Sequence, residues 1–234
     1  MIGVLNWMSA TSKPSLAHSC SVASTKLGKA HRGDAKTVFR ILSKAKLEPE
    51  TIRFSNLGDP KTWKLDIYCD AALGRAAHSA DTFIGDITFF KSATGKRNVI
   101  NWSSSKLDVP TIGILSGEAE SVVNSYGKVK YLRYIFEELF GRKIQANILT
   151  DSKSLFQTVT SDNSIRNRRI SAAVATIRAV KTKEDINLLW VKGTSNLADP
   201  LTKPNANCAN LKATLATGLP ILGLEPNKNN FSEF

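Results

Sequence analysis

The spacing of apolar side chains changes along this chain, and the change marks out its parts. Ser15–Leu27 and Asp34–Lys46 read as two helices divided by Gly28 and Gly33. The second carries Val38, Ile41, Leu42 and Ala45 on one stripe, with Asp34 at a capping position. From Trp63 the period becomes two. Trp63–Asp70 mostly alternates apolar and polar residues and is rich in large and β-branched types, and two further strands follow at Thr82–Lys91 and Arg97–Ser103, joined by a turn at Ser92–Gly95, so three antiparallel strands are predicted. A long helix over about Thr111–Phe140 follows from the helical recurrence of Val122, Val129, Leu132, Ile135, Phe136 and Leu139, closed by Gly141. Gly117 inside it costs roughly 1 kcal/mol and favours a later start. Then come a strand Ile144–Thr150, helices Ser152–Thr160 and Ile165–Lys181, and a strand Ile186–Lys192. Strands, a long helix and then alternating elements predict an α/β sandwich built on one mixed sheet.

Composition narrows the function classes. In 234 residues, 32 Lys and Arg stand against 20 Asp and Glu, a formal charge of +12, which favours a polyanionic partner. Cys20, Cys69 and Cys208 are odd in number and widely spaced, so neither a disulfide framework nor a thiolate zinc site is expected, and an intracellular, reducing location in cytoplasm or nucleus fits. Residues 1–33 hold Lys13, Lys26, Lys29 and Arg32 without an acid, which is also how a mitochondrial presequence reads. The short run Ile2–Met8 is broken by Asn6 and does not make a secretory signal. No stretch reaches the roughly 18 apolar residues of a spanning helix, so no membrane partner is expected. Neither G-x-G-x-x-G nor G-x-x-x-x-G-K occurs, which removes nucleotide-triphosphate chemistry. The chain divides into a helical segment 1–60, a central domain 61–204, and an extension 205–234 that is partly disordered, fraying from Glu225.

Four carboxylates fall at or near element ends: Asp70 after the first strand, Glu118 in the first turns of the long helix, Asp151 where the fourth strand passes into a helix, and Asp199 before Pro200. Strand ends and helix starts can meet in one cleft, where crowded carboxylates raise one another's pKa unless cations lie between them. An all-oxygen donor set suits Mg²⁺ or Mn²⁺. Two such ions about 3.5–4 Å apart activate a water on one side of a phosphodiester and stabilise the leaving oxygen on the other. Taken singly, Asp151 is an ordinary helix cap and Glu118 an ordinary helix charge. The set of four is the signal.

Tyr68-Cys69-Asp70-Ala71, Asn101-Trp102-Ser103-Ser104-Ser105-Lys106, Leu115-Ser116-Gly117-Glu118-Ala119-Glu120, Leu149-Thr150-Asp151-Ser152-Lys153-Ser154 and Leu197-Ala198-Asp199-Pro200-Leu201-Thr202-Lys203 occur in this order. With these motifs the chain resembles the ribonuclease H region of copia-type LTR retrotransposon Pol polyproteins over about residues 61–204. Ile2–Lys46 is similar to the connection that precedes that region. The resemblance implies a ribonuclease H-like five-stranded mixed sheet flanked by helices, with a small N-terminal helical segment. It also implies divalent-metal-dependent cleavage of the RNA strand of an RNA–DNA hybrid, with Asp70, Glu118, Asp151 and Asp199 matching the four metal-binding carboxylates. Ala72, Gly117 and Arg168-Arg169-Ile170 depart from the usual motifs without removing a ligand. No Tyr-x-Asp-Asp polymerase motif occurs, so the chain reads as a terminal piece or remnant of a polyprotein, with the polymerase part as a possible partner.

A hybrid is held chiefly through its phosphates. Arg166, Arg168 and Arg169 form the densest basic cluster, Lys128 and Lys130 a second stripe, and Asn124 and Ser152 are candidates for 2′-hydroxyl or phosphate contacts. Solvated helix faces account for the same charges. His78, the one histidine near the first strand, is read as a surface residue, and Cys69 should face the core opposite Asp70. Two further readings stay open: a catalytically inactive module binding nucleic acid or protein, and a strand transferase on the same fold.

Overall fold

The computed structural model describes residues 1–73, 81–108, 111, 113–161, 165, 167–183 and 186–220. Its frame is one five-stranded mixed sheet. The strands are β1 (Lys64–Leu73), β2 (Thr82–Lys91), β3 (Arg97–Lys106), β4 (Gln145–Thr150) and β5 (Ile186–Trp190) in the spatial order β3-β2-β1-β4-β5. β1 runs antiparallel to β2 and parallel to β4, and β4 runs parallel to β5. This is the five-stranded mixed sheet flanked by helices that the motifs imply.

Side chains sort by parity onto two layers. Leu65, Ile67 and Cys69, with Ala146, Ile148, Ile186 and Leu188 of the parallel strands, pack under three helices: α4 (Ile114–Phe140), α5 (Lys153–Thr160) and α6 (Arg168–Lys183). Cys69 faces this core, as its parity predicts. The opposite parity, Tyr68, Ile87, Phe89 and Leu149, packs under Leu197, Ala198 and Leu201 and under the last helix, α7 (Ala209–Thr217). A strand that alternates apolar and polar residues ordinarily shows its polar face to water. Here the second layer covers it, so Asp66 and Asp70 of β1 are only 2% and 1% exposed.

The long helix starts at Ile114, later than periodicity alone places it, after Gly113 at φ 90°. It ends on Gly141 at φ 65°, the left-handed conformation that closes helices with glycine.

The N-terminal segment differs more from expectation. Ile2–Met8, read as a short apolar run, belongs to a helix, α1 (Ile2–Thr11). The predicted helix Ser15–Leu27 is a 3₁₀ turn Pro14–Leu16 followed by α2 (Ala17–Thr25), and the next is α3 (Arg32–Leu47). His31, not Asp34, caps α3, and Asp34 answers from the third position by accepting the His31 N–H at 2.9 Å. The three helices share a small core of Leu5, Leu16, Cys20, Ala23, Ile41 and Ala45. They are tied to the sheet where the Trp102 indole donates to Ser9 O at 2.6 Å and where Ala17 enters the second-face core.

The described part of the extension beyond 204 packs against the body. α7 buries Leu211 and Leu215, and the backbone is clamped by Arg53 N to Leu215 O at 2.8 Å and Arg97 N to Gly218 O at 2.7 Å. The central strands share one core with Ala17, Leu211 and Leu215. The expected fraying from Glu225 lies outside the described residues.

Candidate active site

Two parallel neighbours carry the first two carboxylates to one end of the sheet. The register sets Tyr68 beside Leu149, and two residues further along each chain stand Asp70 and Asp151. The third arrives on α4. A Cβ on Gly117 would lie 3.2 Å from Thr82 Cγ2 and 3.4 Å from Ala71 Cβ, so the bare glycine lets the first turns settle close against β1 and β2, with Glu118 next to it. Ser121 of the same helix donates to Asp70 O at 2.9 Å and pins the contact. One carboxylate oxygen from each of Asp70, Glu118 and Asp151 lies within 4.8 Å of the other two.

The fourth carboxylate is brought in from the second face by the chain after β5. Gly85 is the partner of Asp70 across the β1–β2 ladder. A Cβ on Gly85 would meet Leu201 Cβ at 2.7 Å and Thr202 Cγ2 at 2.8 Å, closer than real Cβ atoms come, so only glycine lets this segment lie against the sheet. Thr202 Oγ1 donates to Asp70 Oδ2, and the Lys203 ammonium stands 3.3 Å from the same oxygen while pairing with Asp199 Oδ1. Asn196, buried, donates to Cys69 O at 3.0 Å. The Trp190 indole donates to Asp151 O at 3.1 Å. Asp199 stays outside the three-carboxylate group and joins the site through Lys203.

Crowding shows in the protonation of these groups. Burial first, and then the charges of Asp151 and Asp199, push Asp70 up to about 6 against the opposing pull of Lys203 and Thr202. Burial and the neighbouring Asp70 and Asp151 raise Glu118 to about 9, and burial raises Asp151. Burial works against the Lys203 charge, but Asp70 and Asp199 outweigh it and hold the ammonium above its ordinary value. Glu118 Oε2 is buried with no hydrogen-bond partner. An orphaned carboxylate oxygen in an all-oxygen cluster matches the donor set of a hard divalent cation.

No protein-family model matches the chain. Among curated proteins, the Gag-Pol polyproteins of transposons Ty1-JR2 and Ty1-BL of Saccharomyces cerevisiae (strain ATCC 204508 / S288c) are each 26% identical to it over 132 residues, 53% of this chain. The chain is similar to copia-type Gag-Pol polyproteins. The match spans 8% of those relatives' length. Among solved structures, LC11-RNase H1 in complex with an RNA/DNA hybrid is 16% identical, with TM-score 0.45, covering 59% of this chain and 94% of that one. An N-terminal RNase H domain from Mycobacterium tuberculosis is 18% identical, with TM-score 0.43, covering 59% and 90%. The prototype foamy virus protease–reverse transcriptase is 13% identical, with TM-score 0.39, covering 82% of this chain and 28% of that one.

The remaining predicted contacts fare unevenly. Lys128 is already ion-paired. Its ammonium pairs with Asp86 Oδ2 and donates to Ser103 Oγ at 2.6 Å, because a buried β2 carboxylate beneath α4 needs a counter-charge. Lys130 is exposed on the same helix and Asn124 is half-buried there. Ser152 caps α5, accepting the Leu155 N–H at 3.4 Å, which is the bland role of such a residue. Arg168 is exposed at the start of α6. Arg166, the Arg169 side chain and His78 lie outside the described residues. The roles of Gly85, Asn196, Thr202 and Lys203 went unassigned in the sequence. Thr202 and Lys203 lie in the Asp199 motif itself, whereas Gly85 looks like any weak spot in a strand and Asn196 like a loop polar residue.

Proposed function

We propose that this chain is a divalent-metal-dependent endonuclease that hydrolyses the RNA strand of RNA–DNA hybrids, acting as a piece of a retrotransposon Pol polyprotein. The observation that carries the reading is the meeting of Asp70, Glu118 and Asp151, from two strands and a helix, within 4.8 Å, with one buried Glu118 oxygen left without a partner. Such an arrangement is costly unless a cation resolves it, and proteins keep such costs at functional sites. The similarity to Ty1 Gag-Pol polyproteins supports the same reading.

Asp70, Glu118 and Asp151 would hold the cation, Mg²⁺ or Mn²⁺, with Asp199 completing a site for two. When bound, such ions lower the pKa of a water at neutral pH and stabilise the charge on the leaving oxygen. The chain's own residues prepare this. The rigid β1–β4 pair and the glycine-permitted approach of α4 hold three carboxylates in place before substrate arrives, so little reorganisation is left for the reacting complex. Thr202 and Ser121 fix the orientation of Asp70 and its backbone, and Trp190 that of Asp151. Exposed Lys130 and Arg168 supply phosphate contacts, which hold a duplex by shape and charge without reading sequence. The polymerase part of such a polyprotein is the proposed protein partner.

The test is cleavage of a hybrid labelled on its RNA strand, with Mg²⁺ or Mn²⁺, by the wild-type chain and by Asp70→Asn and Asp151→Asn. Wild-type cleavage lost in both variants is expected. Cleavage that survives both changes removes these residues from the chemistry. Salt-sensitive hybrid binding without turnover or divalent-ion binding would select the inactive binding module instead.

A further inference from the structure

We propose that the Lys203 ammonium stands in for the second divalent cation. In the free chain one ion is held by Asp70, Glu118 and Asp151, and a second enters beside Asp199 only when Lys203 is drawn away by a phosphate of the substrate. This rests on the metal-dependent nuclease reading and specifies how many ions its site holds and what controls them.

Three observations place Lys203 in this role. Its nitrogen touches both carboxylates that a second ion would bridge, Asp70 at 3.3 Å and Asp199 in direct pairing. Among the described residues the group able to hold an ion contains three carboxylates and leaves Asp199 out. Asp70 Oδ2 is also already engaged by Thr202. One side of the cluster is therefore short of positive charge, with Glu118 Oε2 unanswered, while the other side is supplied. A positive charge and a divalent cation cannot share the Asp70–Asp199 gap without strong repulsion.

Lys203 is also built to leave. Its side chain is 40% exposed, unlike the carboxylate it touches, which is 1% exposed. It follows the 3₁₀ turn Asp199–Leu201 and lies on no helix or strand, on a flexible four-carbon stem whose compact charge binds phosphate as readily as carboxylate. A phosphate entering the cleft would offer the ammonium a new partner and vacate Asp199 for a cation. Loading of the second ion would thus be tied to loading of substrate.

The experiment counts Mn²⁺ bound to the full chain, from the electron paramagnetic resonance signal of the free ion, for wild type, Lys203→Met and Lys203→Arg. Wild type should bind one ion tightly and a second at least tenfold more weakly. Lys203→Met should tighten the second by at least tenfold, so that two bind comparably, and Lys203→Arg should behave as wild type. If Lys203→Met does not fold, Lys203→Gln, which keeps a donor for Asp199 without the charge, is read in its place. Two equal sites in wild type, or a second affinity unmoved by removing the charge, would overturn the proposal and leave the nuclease reading standing. No Mn²⁺ bound by any of the proteins would overturn both.

Discussion

Asp66 and Asp70 lie four residues apart on β1, on the same face, at 2% and 1% exposure, yet their surroundings are opposite in kind. Asp66 Oδ1 accepts from Asn147 Nδ2 at 2.7 Å and its other oxygen faces Lys91 at 3.8 Å, while Asn147 accepts in turn from Asn187 at 3.1 Å. The three strands β1, β4 and β5 are thereby linked by a polar ladder in which both Asp66 oxygens are answered. At the other end of the strand, Asp70 meets Glu118 and Asp151, and among the described residues Lys203 is the one ammonium ion-paired with it, shared with Asp199. Burial alone does not distinguish architecture from function here. What does is how many carboxylates share the counter-charge: Lys203 serves both Asp70 and Asp199 while Glu118 Oε2 stays unanswered, and such a deficit is tolerated where something else completes it.

The sharpest way to break the comparison is to neutralise each carboxylate in turn. Asp70→Asn should lower hybrid cleavage by roughly 10²–10⁴-fold, the scale of losing a group that acts in the transition state. Asp66→Asn should leave kcat unchanged and reduce only stability. Equal losses of turnover in the two variants would remove the distinction. Next in size is Gly85→Ala. Its methyl group cannot fit beneath Leu201 and Thr202, so the Asp199–Lys203 segment must lift from Asp70. Overpacking of this sort costs about 1–3 kcal/mol, and cleavage should fall by roughly 10–100-fold, the effect of displacing groups that support metal ligands.

A third test uses pH. Glu118 sits at about 9 in the folded chain against an ordinary value of 4.5, and Asp70 at about 6 against 3.8. Between the ordinary and the raised values the folded chain binds protons that the unfolded chain has released, so stability falls as pH rises. Without divalent ions, thermal melting should therefore drop with increasing pH from about 4 to 6 through Asp70 and on toward 9 through Glu118. Mg²⁺ should flatten the slope. Glu118→Gln should flatten it too and raise the melting temperature at pH 8 by a few degrees, given about 2–4 °C per kcal/mol in a chain of this size. A melting temperature that climbs over this range would contradict the crowding. The smallest effect separates the two lysines on α4. Lys130→Ala should reduce the salt slope of hybrid binding by about one, and Lys128→Ala should leave the slope alone and lower stability, because its charge is already given to Asp86.

Much of the frame was legible before any coordinates. Thr82–Lys91 is a strand with the predicted ends, because its aromatic and β-branched residues favour extended backbone through effects that act over a few neighbours. The four acids could be picked out from their places at element ends. α1 does not announce itself as a helix: its apolar residues lie on more than one side, with Val4 and Trp7 exposed and Leu5 buried, so no stripe marks it. α7 escaped because its two buried leucines find their core only on the far face of the sheet. Lys128 looked free because Asp86, its partner, is 42 residues away.

The amino-acid order by itself determined which segments become strands and helices and which acids stand at their ends, since those depend on side-chain periodicity and local backbone preference. Only the tertiary structure decided that three of the acids share a few ångströms while Asp199 is taken by Lys203, that Asp66 is satisfied while Glu118 Oε2 beside Asp70 is not, and that Gly85 is the gap through which the last segment reaches the site. Those outcomes depend on pairings such as Asp70 with Thr202, 132 residues apart, and Coulomb and packing energies act through space, with no trace in the neighbouring sequence.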